Sequence, residues 1–416
     1  MAPDCMQVRL HLRLIRVLAV LTDTIDALVV SVASTRSWSR CPHCGFACRD
    51  VHDTRTRKVR DLPVSGRPVT LVWSRRRFSC GNCGQRHLEV HDEFEGRLTR
   101  RLARALVADA KVMSVRAVAR RHGLGWTTVM ALVTDWSQLV GAHRRAKRCR
   151  VLLVDETSMR RRHRYVTVLQ NGETGEVLAM VAHRNEAALS GFFAAQGRRW
   201  CRGVQVVVSD GSKSYKAAID RHLGHARHVL DRFHVVRWFA AGLTLVRRET
   251  QRREPRGAVK PAFDPEVFRA RFALLRRGDT LDDAERARLD ELFERHPRIA
   301  AGWHALQELY GLYLADDRAG ALAALDRFTD LYATGELPEF HHVVDTIIAW
   351  SDEILAYHDP VVGRASNGRL EGTNNKLQVL RRVAFGFTNR ANFEARGILA
   401  CPAIRSAPPR PATLTP

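Results

Sequence analysis

Between residues 150 and 230, short apolar runs alternate with segments whose apolar residues recur at helical spacing. Three apolar runs come first, and the pairs Asn171-Gly172 and Thr174-Gly175 mark a turn after the second run. A helical segment then leads to a fourth run, and another helical segment leads to a fifth. The pattern predicts strands at 151–155, 165–169, 177–181, 204–208 and 228–230, and helices at 186–198 and 215–222.

This order, three antiparallel strands followed by helix, strand, helix and strand, is typical of a ribonuclease-H-like α/β core. In that fold the first strand lies at the centre of the sheet, beside the fourth. Asp155 ends the first run and Asp210 ends the fourth, so we expect their carboxylates to lie close together. Glu156 follows Asp155 directly, and the alternation of side chains along a strand predicts that it points to the opposite face.

A cluster of carboxylates is what metal-dependent phosphodiester cleavage requires. Two divalent ions about 4 Å apart neutralise the phosphate, activate water and stabilise the leaving oxygen. Mg²⁺, or Mn²⁺ in its place, needs only two or three carboxylates, with water and substrate phosphate completing its shell. A third acid, Glu371, lies at the polar start of a helical stretch. We therefore predict that Asp155, Asp210 and Glu371 hold two ions per active site.

Other acids compete with Glu371 for the third position. Helical periodicity runs through residues 240–365 and includes Glu266, Asp352 and Glu353. These three lie in or beside amphipathic stretches, where a solvated helix face is the simpler interpretation. We therefore retain Glu371.

The helix that carries Glu371 presents further polar residues on the same face. Asn375 and Gln378 follow Glu371 at four and seven residues, which is helical spacing. Positive charge for DNA phosphates is predicted nearby, at Lys376, Arg381 and Arg382.

Two near-identical knuckles, Cys41-Pro-His-Cys44-Gly and Cys80-Gly-Asn-Cys83-Gly, occur in the amino-terminal part of the chain. Two such turns complete a tetrahedral, closed zinc site, which is structural rather than catalytic. Cys48 and His43 are spare candidates with poorer spacing. Strands predicted at 58–62, 69–73 and 76–78, with a turn at 65–68, indicate a zinc ribbon of two hairpins that binds one Zn²⁺.

A helix-turn-helix is predicted after the cysteine module. Apolar residues at helical spacing mark a first helix at 97–112, Ser114 caps a second at 115–122, and Gly123-Leu-Gly125 makes the turn. A third helix follows through Trp136. The residues offered to a DNA groove are Arg116, Trp126, Thr127 and Thr128.

The chain of 416 residues has a net charge of +23, which indicates a polyanionic partner such as double-stranded DNA. The fairly apolar stretch 10–32 carries Arg13, Arg16, Asp23 and Asp26, which a bilayer span does not tolerate well. We therefore expect no membrane partner and a cytoplasmic, nucleoid-associated bacterial protein. In a reducing compartment, paired cysteines indicate metal ligands rather than disulfides.

Several motifs together resemble the ISL3-family insertion-sequence transposases. They are the paired knuckles, Val154-Asp155-Glu-Thr157, Ser209-Asp210-Gly211, Asp231-Arg-Phe-His234-Val235 and Ser366-Asn-Gly-Arg-Leu-Glu371-Gly-Thr-Asn374. The resemblance extends over nearly the whole chain, in the family's order of zinc finger, helix-turn-helix and DDE domain. It implies that Asp155, Asp210 and Glu371 are the metal-binding triad. Asp231 and His234 are similar to an accessory motif of several DDE families, and a hydrogen-bonded core histidine remains the alternative.

The expected architecture is a multidomain α/β protein. A zinc ribbon (1–95), a helix-turn-helix domain (96–149) and a ribonuclease-H-like DDE core (150–400) precede a disordered tail (401–416). By the resemblance, residues from about 240 to 365 form an all-helical insertion. The predicted function is binding of terminal inverted repeats with metal-dependent strand cleavage and strand transfer, by a homodimer or higher oligomer. The alternatives are a catalytically inactive DNA-binding regulator and a nuclease without strand transfer.

Overall fold

The computed structural model describes residues 10–160, 164–252, 264–332 and 337–401. Contacts divide the chain into an amino-terminal unit, residues 1–142 with 379–416, and a central unit, residues 143–378. The predicted catalytic domain runs to residue 400, whereas the central unit ends at 378. The predicted disordered tail lies outside the described residues, apart from Cys401.

Nine strands lie in the described part of the amino-terminal unit. They are β1 (Ile15–Asp23), β2 (Leu28–Ser34), β3 (Ser39–Arg40), β4 (Ala47–Cys48), β5 (Val51–Val64), β6 (Arg67–Ser79), β7 (Arg86–Leu88), β8 (Phe94–Glu95) and β9 (Leu98–Thr99). Seven form one sheet in the order β1-β2-β6-β5-β9-β8, with β7 paired to β6, while β3 and β4 pair separately. Alternate residues of β2 are buried, the period-2 pattern of a strand with one face on a core. The stretch 10–32 therefore belongs largely to a β-hairpin.

The long hairpin of β5 and β6 exceeds the predicted strands, because pairing continues up to Val64 and Arg67. Only Ser65 and Gly66 remain in the turn, with φ of 53° and 77°. Two successive residues with positive φ match the right-handed twist of a hairpin. The turn is thus shorter than the predicted turn at 65–68, and Pro68 lies within β6.

Four helices share one core in the amino-terminal unit. The helix-turn-helix consists of α1 (Arg100–Ala110), α2 (Val115–Arg121) and α3 (Trp126–Arg145). The helix order is as predicted, and α3 continues to Arg145. The last described helix of the chain, Arg390–Ala400, contributes Ala395 and Leu399 to the same core.

The central unit is built on a five-stranded sheet of β10 (Val151–Arg160), β11 (Arg164–Asn171), β12 (Val177–Ala182), β13 (Val206–Ser209) and β14 (Arg227–Leu230). Its order is β12-β11-β10-β13-β14. The predicted neighbours are confirmed: β10 is central, antiparallel to β11 and parallel to β13. Two helices intervene between these strands, α4 (Glu186–Arg202) and α5 (Lys213–Leu223).

Helices occupy the described part of the chain between β14 and residue 367, as predicted for the insertion. They are α6 (Arg232–Arg252), α7 (Pro265–Arg269), α8 (Asp283–Arg295), α9 (Pro297–Leu314), α10 (Arg318–Tyr332), α11 (His341–Ala349) and α12 (Ser351–Leu355). Then come α13 (Gly368–Val383) and α14 (Arg390–Ala400). Among the described helices, none has the length and apolarity of a membrane span.

Candidate active site

The middle of β10 and the end of β13 bring Asp155 and Asp210 together, because β10 continues to Arg160 instead of ending at Asp155 as predicted. Leu153 of β10 is level with Val208 of β13, and each acid lies two residues further along. Ligand atoms of Asp155, Asp210 and His234 all lie within 4.8 Å of one another. Two carboxylates and an imidazole therefore converge at one edge of the sheet.

The backbone after β13 is adapted to this position. Asp210 Oδ1 accepts a hydrogen bond from the backbone N–H of Ser212 at 3.1 Å, which fixes the carboxylate. A Cβ atom on Gly211 would lie 2.5 Å from the ring of Trp238, so only glycine fits between Asp210 and α6. Gly211 is thus required for packing, and Asp210 before it for the chemistry of the site.

His234 is held by a carboxylate behind it. Its Nδ1 lies 3.2 Å from Asp231 Oδ2, and Asp231 Oδ1 accepts the backbone N–H of Asn367 at 3.0 Å. Burial alone lowers the pKa of His234, but the hydrogen bond to Asp231 and the charge of Asp155 outweigh it and raise the pKa overall. His234 therefore fits both interpretations: it is a hydrogen-bonded histidine and also a member of the cluster with Asp155 and Asp210.

The charged forms of the clustered acids are electrostatically unfavourable. Burial raises the pKa of Asp155 to about 6, and the charge of Asp210 acts in the same direction. Burial also raises the pKa of Asp210, against the opposing charge of Arg184. The Arg184 guanidinium lies 2.6 Å from Glu156 Oε2 and 3.3 Å from Asp210 Oδ2. Clustered carboxylates of this kind are stabilised by a cation.

Glu156 lines the same cavity as Asp155, although strand alternation predicts that the two side chains point to opposite faces. The cavity has a volume of about 370 Å³. Its lining includes the carboxylates of Asp155, Glu156, Asp210, Asp231 and Glu371. Glu156 is not part of the tight cluster among the described residues.

Glu371 reaches this cavity from the first turn of α13. Its side chain is exposed and lies outside the tight group of three. The rival acids are elsewhere: Glu266 pairs with Arg295, and Asp352 is exposed. Glu353 is buried against Lys216, so the interpretation of that residue as part of a solvated face was wrong.

Sequence reasoning missed Asn374. Its Nδ2 donates to Asp155 Oδ2 at 2.9 Å and to the carbonyl of Glu156 at 3.3 Å. Asn375, predicted to share the face of Glu371, is exposed, as are Glu371 and Lys376. Helical spacing makes the third and the fourth residue after Glu371 equally plausible neighbours, so the sequence held no signal to choose between them.

Two other residues complete the surroundings of the strand end. Gln378 donates to Thr157 Oγ1 at 2.7 Å and to the carbonyl of Ser158 at 3.0 Å, which docks α13 on β10. Asn367 Nδ2 donates to the carbonyl of Val154 at 3.1 Å. Arg184, which pairs with two acids, lies in a connection without a motif, so no sequence pattern predicted it.

The four knuckle cysteines lie together in the amino-terminal unit. Cys41 Sγ lies 3.7 Å from Cys83 Sγ, and Cys44 Sγ lies 3.6 Å from Cys80 Sγ. A tetrahedral zinc site with Zn–S bonds of about 2.3 Å requires sulfurs about 3.8 Å apart, so the spacing fits. Cys48 is buried beside them but does not belong to the group of four whose sulfurs all lie within 4.8 Å of one another.

The predicted DNA-reading residues lie on the helix-turn-helix as expected for a groove-facing surface. Arg116 is exposed on α2, and Trp126, Thr127 and Thr128 are exposed in the first turn of α3. In the last turn of α13, Arg382 is exposed and Arg381 is half-buried.

Comparison with known proteins assigns the family. A model of the ISL3 transposase domain matches residues 152–397, more than half of the chain. The chain belongs to the ISL3 family of transposases. Models for the zinc finger of the IS204/IS1001/IS1096/IS1165 transposases and for the helix-turn-helix domain of the ISL3 family match residues 39–83 and 96–137 of this ISL3 transposase. The resemblance inferred from the motifs is thereby confirmed, together with both amino-terminal domains.

Relatives of this ISL3 transposase are also described as transposases of insertion sequences. The transposase for insertion sequence element IS1001 of Bordetella parapertussis is 29% identical over 380 residues, which cover 89% of this chain and 91% of the relative. The transposase for element IS1557 of Mycobacterium tuberculosis is 27% identical over 297 residues, covering 67% of this chain and 66% of that protein.

Proposed function

We propose that this ISL3-family transposase has a ribonuclease-H-like DDE core that cleaves DNA at the ends of its insertion sequence and transfers the strands to target DNA. The observation that carries the proposal is the meeting of Asp155 and Asp210 with His234 in a cavity that Glu371 also lines. The strand order of the central unit, with β10 in the middle, supports the fold assignment.

The residues fit Mg²⁺ on the chemistry of their donors. Asp155, Asp210 and Glu371 offer hard carboxylate oxygens, which Mg²⁺ prefers. Within the described residues, the Oδ1 atoms of Asn367 and Asn374 are buried beside the cavity without a hydrogen-bond partner. Orphaned oxygens are suited to the water shell that such ions retain. When bound, two such ions neutralise the phosphate and lower the pKa of attacking water.

Side chains around the acids would orient the site and contribute positive charge to it. Asn374 donates to Oδ2 of Asp155 and the backbone N–H of Glu156 donates to Oδ1, so the carboxylate is held from both oxygens. Asp231 engages Nδ1 of His234, so Nε2 is the atom that can meet a phosphate oxygen or carry a proton to it. Arg184, which bridges Glu156 and Asp210, would turn to a phosphate once cations neutralise those acids.

The amino-terminal unit would recognise the element's ends. Trp126, Thr127 and Thr128 begin the helix predicted to enter a groove, with Arg116 contacting backbone phosphate. The four-cysteine cluster would bind one structural Zn²⁺ and hold the hairpin that carries it. We also propose a homodimer or higher oligomer on DNA, because two element ends must be joined in concert.

The test is strand cleavage of labelled DNA carrying the element's own end, with Mg²⁺, compared for wild type and Asp155→Asn. We expect nicking at the repeat boundary by wild type, at least a 100-fold loss in the variant, and unchanged end binding. Binding without cleavage by both proteins would support the inactive regulator instead. Cleavage without joining to target DNA would favour a nuclease.

A further inference from the structure

The end of helix α13 carries an exposed phenylalanine in a strained backbone conformation. Phe385 is 96% exposed and has φ of 58°, the left-handed region that favours glycine. Its N–H donates to the carbonyl of Arg382 at 3.0 Å, and the N–H of Gly386 donates to that of Arg381 at 2.9 Å. A large apolar ring left in water contributes nothing to folding, and a left-handed residue with a Cβ opposes it. Their coincidence points to a use outside the folded chain.

The surrounding segment is firmly anchored. Phe387, two residues further on, packs against Phe393 with ring centroids 5.0 Å apart, and the Arg396 guanidinium lies 5.6 Å from its centroid. Arg396 is buried and donates to the carbonyls of Ala110 and Met113 at 2.9 and 2.6 Å. The chain therefore fixes Phe387 on the helix-turn-helix core and presents Phe385 to solvent.

The surface around Phe385 is basic and polar. Apart from the buried Arg396, residues 376–396 contain four basic side chains and one acidic one, and Arg390 pairs with Glu394. Arg382, Gly386, Thr388 and Asn389 around the ring are exposed. A protein partner would call for a wider apolar patch than one ring. A single ring among cations suits nucleic acid, because every base has a face for stacking and the cations meet phosphates.

We propose that Phe385 stacks on a nucleobase of the bound DNA, with Arg382 contacting a neighbouring phosphate. The base is either one of a base-pair step that the ring opens or an unpaired base at a cleaved end. This inference rests on the DNA binding of the proposed function. It assigns to the segment after α13 a role in holding DNA that is separate from groove reading by α3.

The decisive variant is Phe385→Gly, because it separates folding from binding. Glycine relieves the left-handed strain, so we expect the apparent Tm to stay constant or rise by about 2–4 °C. Loss of stacking should raise the Kd for DNA by about 10- to 100-fold. Phe385→Trp should keep the affinity within about threefold. Ile25→Ala, which removes another exposed side chain, is the control and should change neither quantity.

Fluorescence anisotropy without Mg²⁺ measures the Kd of the full chain for three probes. They are an intact duplex of the element's end, the same duplex with three unpaired terminal nucleotides, and that duplex with abasic sites in place of those bases. A loss confined to the second probe indicates an unpaired base, and a loss shared by all three indicates an opened base-pair step. Both results support the proposal.

Equal affinities of Phe385→Gly and wild type on all probes would overturn the proposal and leave the proposed function standing. Reduced self-association of Phe385→Gly at unchanged DNA affinity would overturn it in favour of a contact between copies. Failure of wild type to bind any probe would overturn it together with the proposed function.

Discussion

Removing the Asn374 side chain tests how the site holds Asp155. In Asn374→Ala, Asp155 Oδ2 loses a donor 2.9 Å away, and the carbonyl of Glu156 loses one at 3.3 Å. A hydrogen bond to a charged group contributes about 1.5–3 kcal/mol. Partners that orient metal ligands change metal affinity by about 10- to 100-fold when removed. The two magnitudes agree, since each 1.4 kcal/mol is about tenfold.

We therefore expect the Mg²⁺ concentration for half-maximal cleavage by Asn374→Ala to rise about 10- to 100-fold. Binding of Mn²⁺ followed by electron paramagnetic resonance, without DNA, should weaken by the same factor. Val379→Ala removes an exposed side chain of the same helix and should leave both values unchanged. Identical Mn²⁺ binding by Asn374→Ala and wild type would refute the reasoning.

Two further predictions concern the zinc cluster and a buried histidine. Cys80→Ser should reduce the zinc content, measured by mass spectrometry, from one per chain to nearly none, and should weaken specific end binding. Cys201→Ser, a buried cysteine outside the cluster, should keep its zinc, and zinc retention by Cys80→Ser would contradict the assignment. Burial lowers the pKa of His228 to about 4, so the unfolded chain, with its usual value near 6.5, binds the proton first as pH falls. Stability from this group is complete above pH 6.5 and decreases as pH falls towards 4, by on the order of 2 kcal/mol between pH 7 and pH 5. Urea unfolding should show this difference between wild type and His228→Gln, and equal pH dependence of the two would contradict it.

The sequence was sufficient for the strands of the central unit and their order. The run of β13 is continuously apolar because β13 is buried on both faces, and the acids Asp155 and Asp210 were visible after the apolar runs. The pairing of Arg184 with Glu156 and Asp210 was not visible in the sequence, because it depends on how separate parts of the chain fold together.

Long-range packing explains the other gaps. Asn374 and Asn375 are indistinguishable by spacing, and only the docking of α13 through Gln378 selects Asn374. Arg396 donates a hydrogen bond to the carbonyl of Ala110, which lies 286 residues earlier in the sequence. No local pattern therefore predicts that α14 joins the helix-turn-helix core. The strand β1 is mostly exposed and lacks a clear alternation of buried and exposed residues, so the sequence pattern did not predict its hairpin with β2.

The most direct test of the central claim is the identity of the third acid, because Glu371 lines the cavity without joining the tight cluster. The measurement is Mg²⁺-dependent strand cleavage at the element's end by wild type, Glu371→Gln and Asp352→Asn, an exposed acid away from the cavity. The account predicts normal cleavage by Asp352→Asn and at least a 100-fold loss in Glu371→Gln, with end binding intact. Cleavage that survives in Glu371→Gln would contradict it.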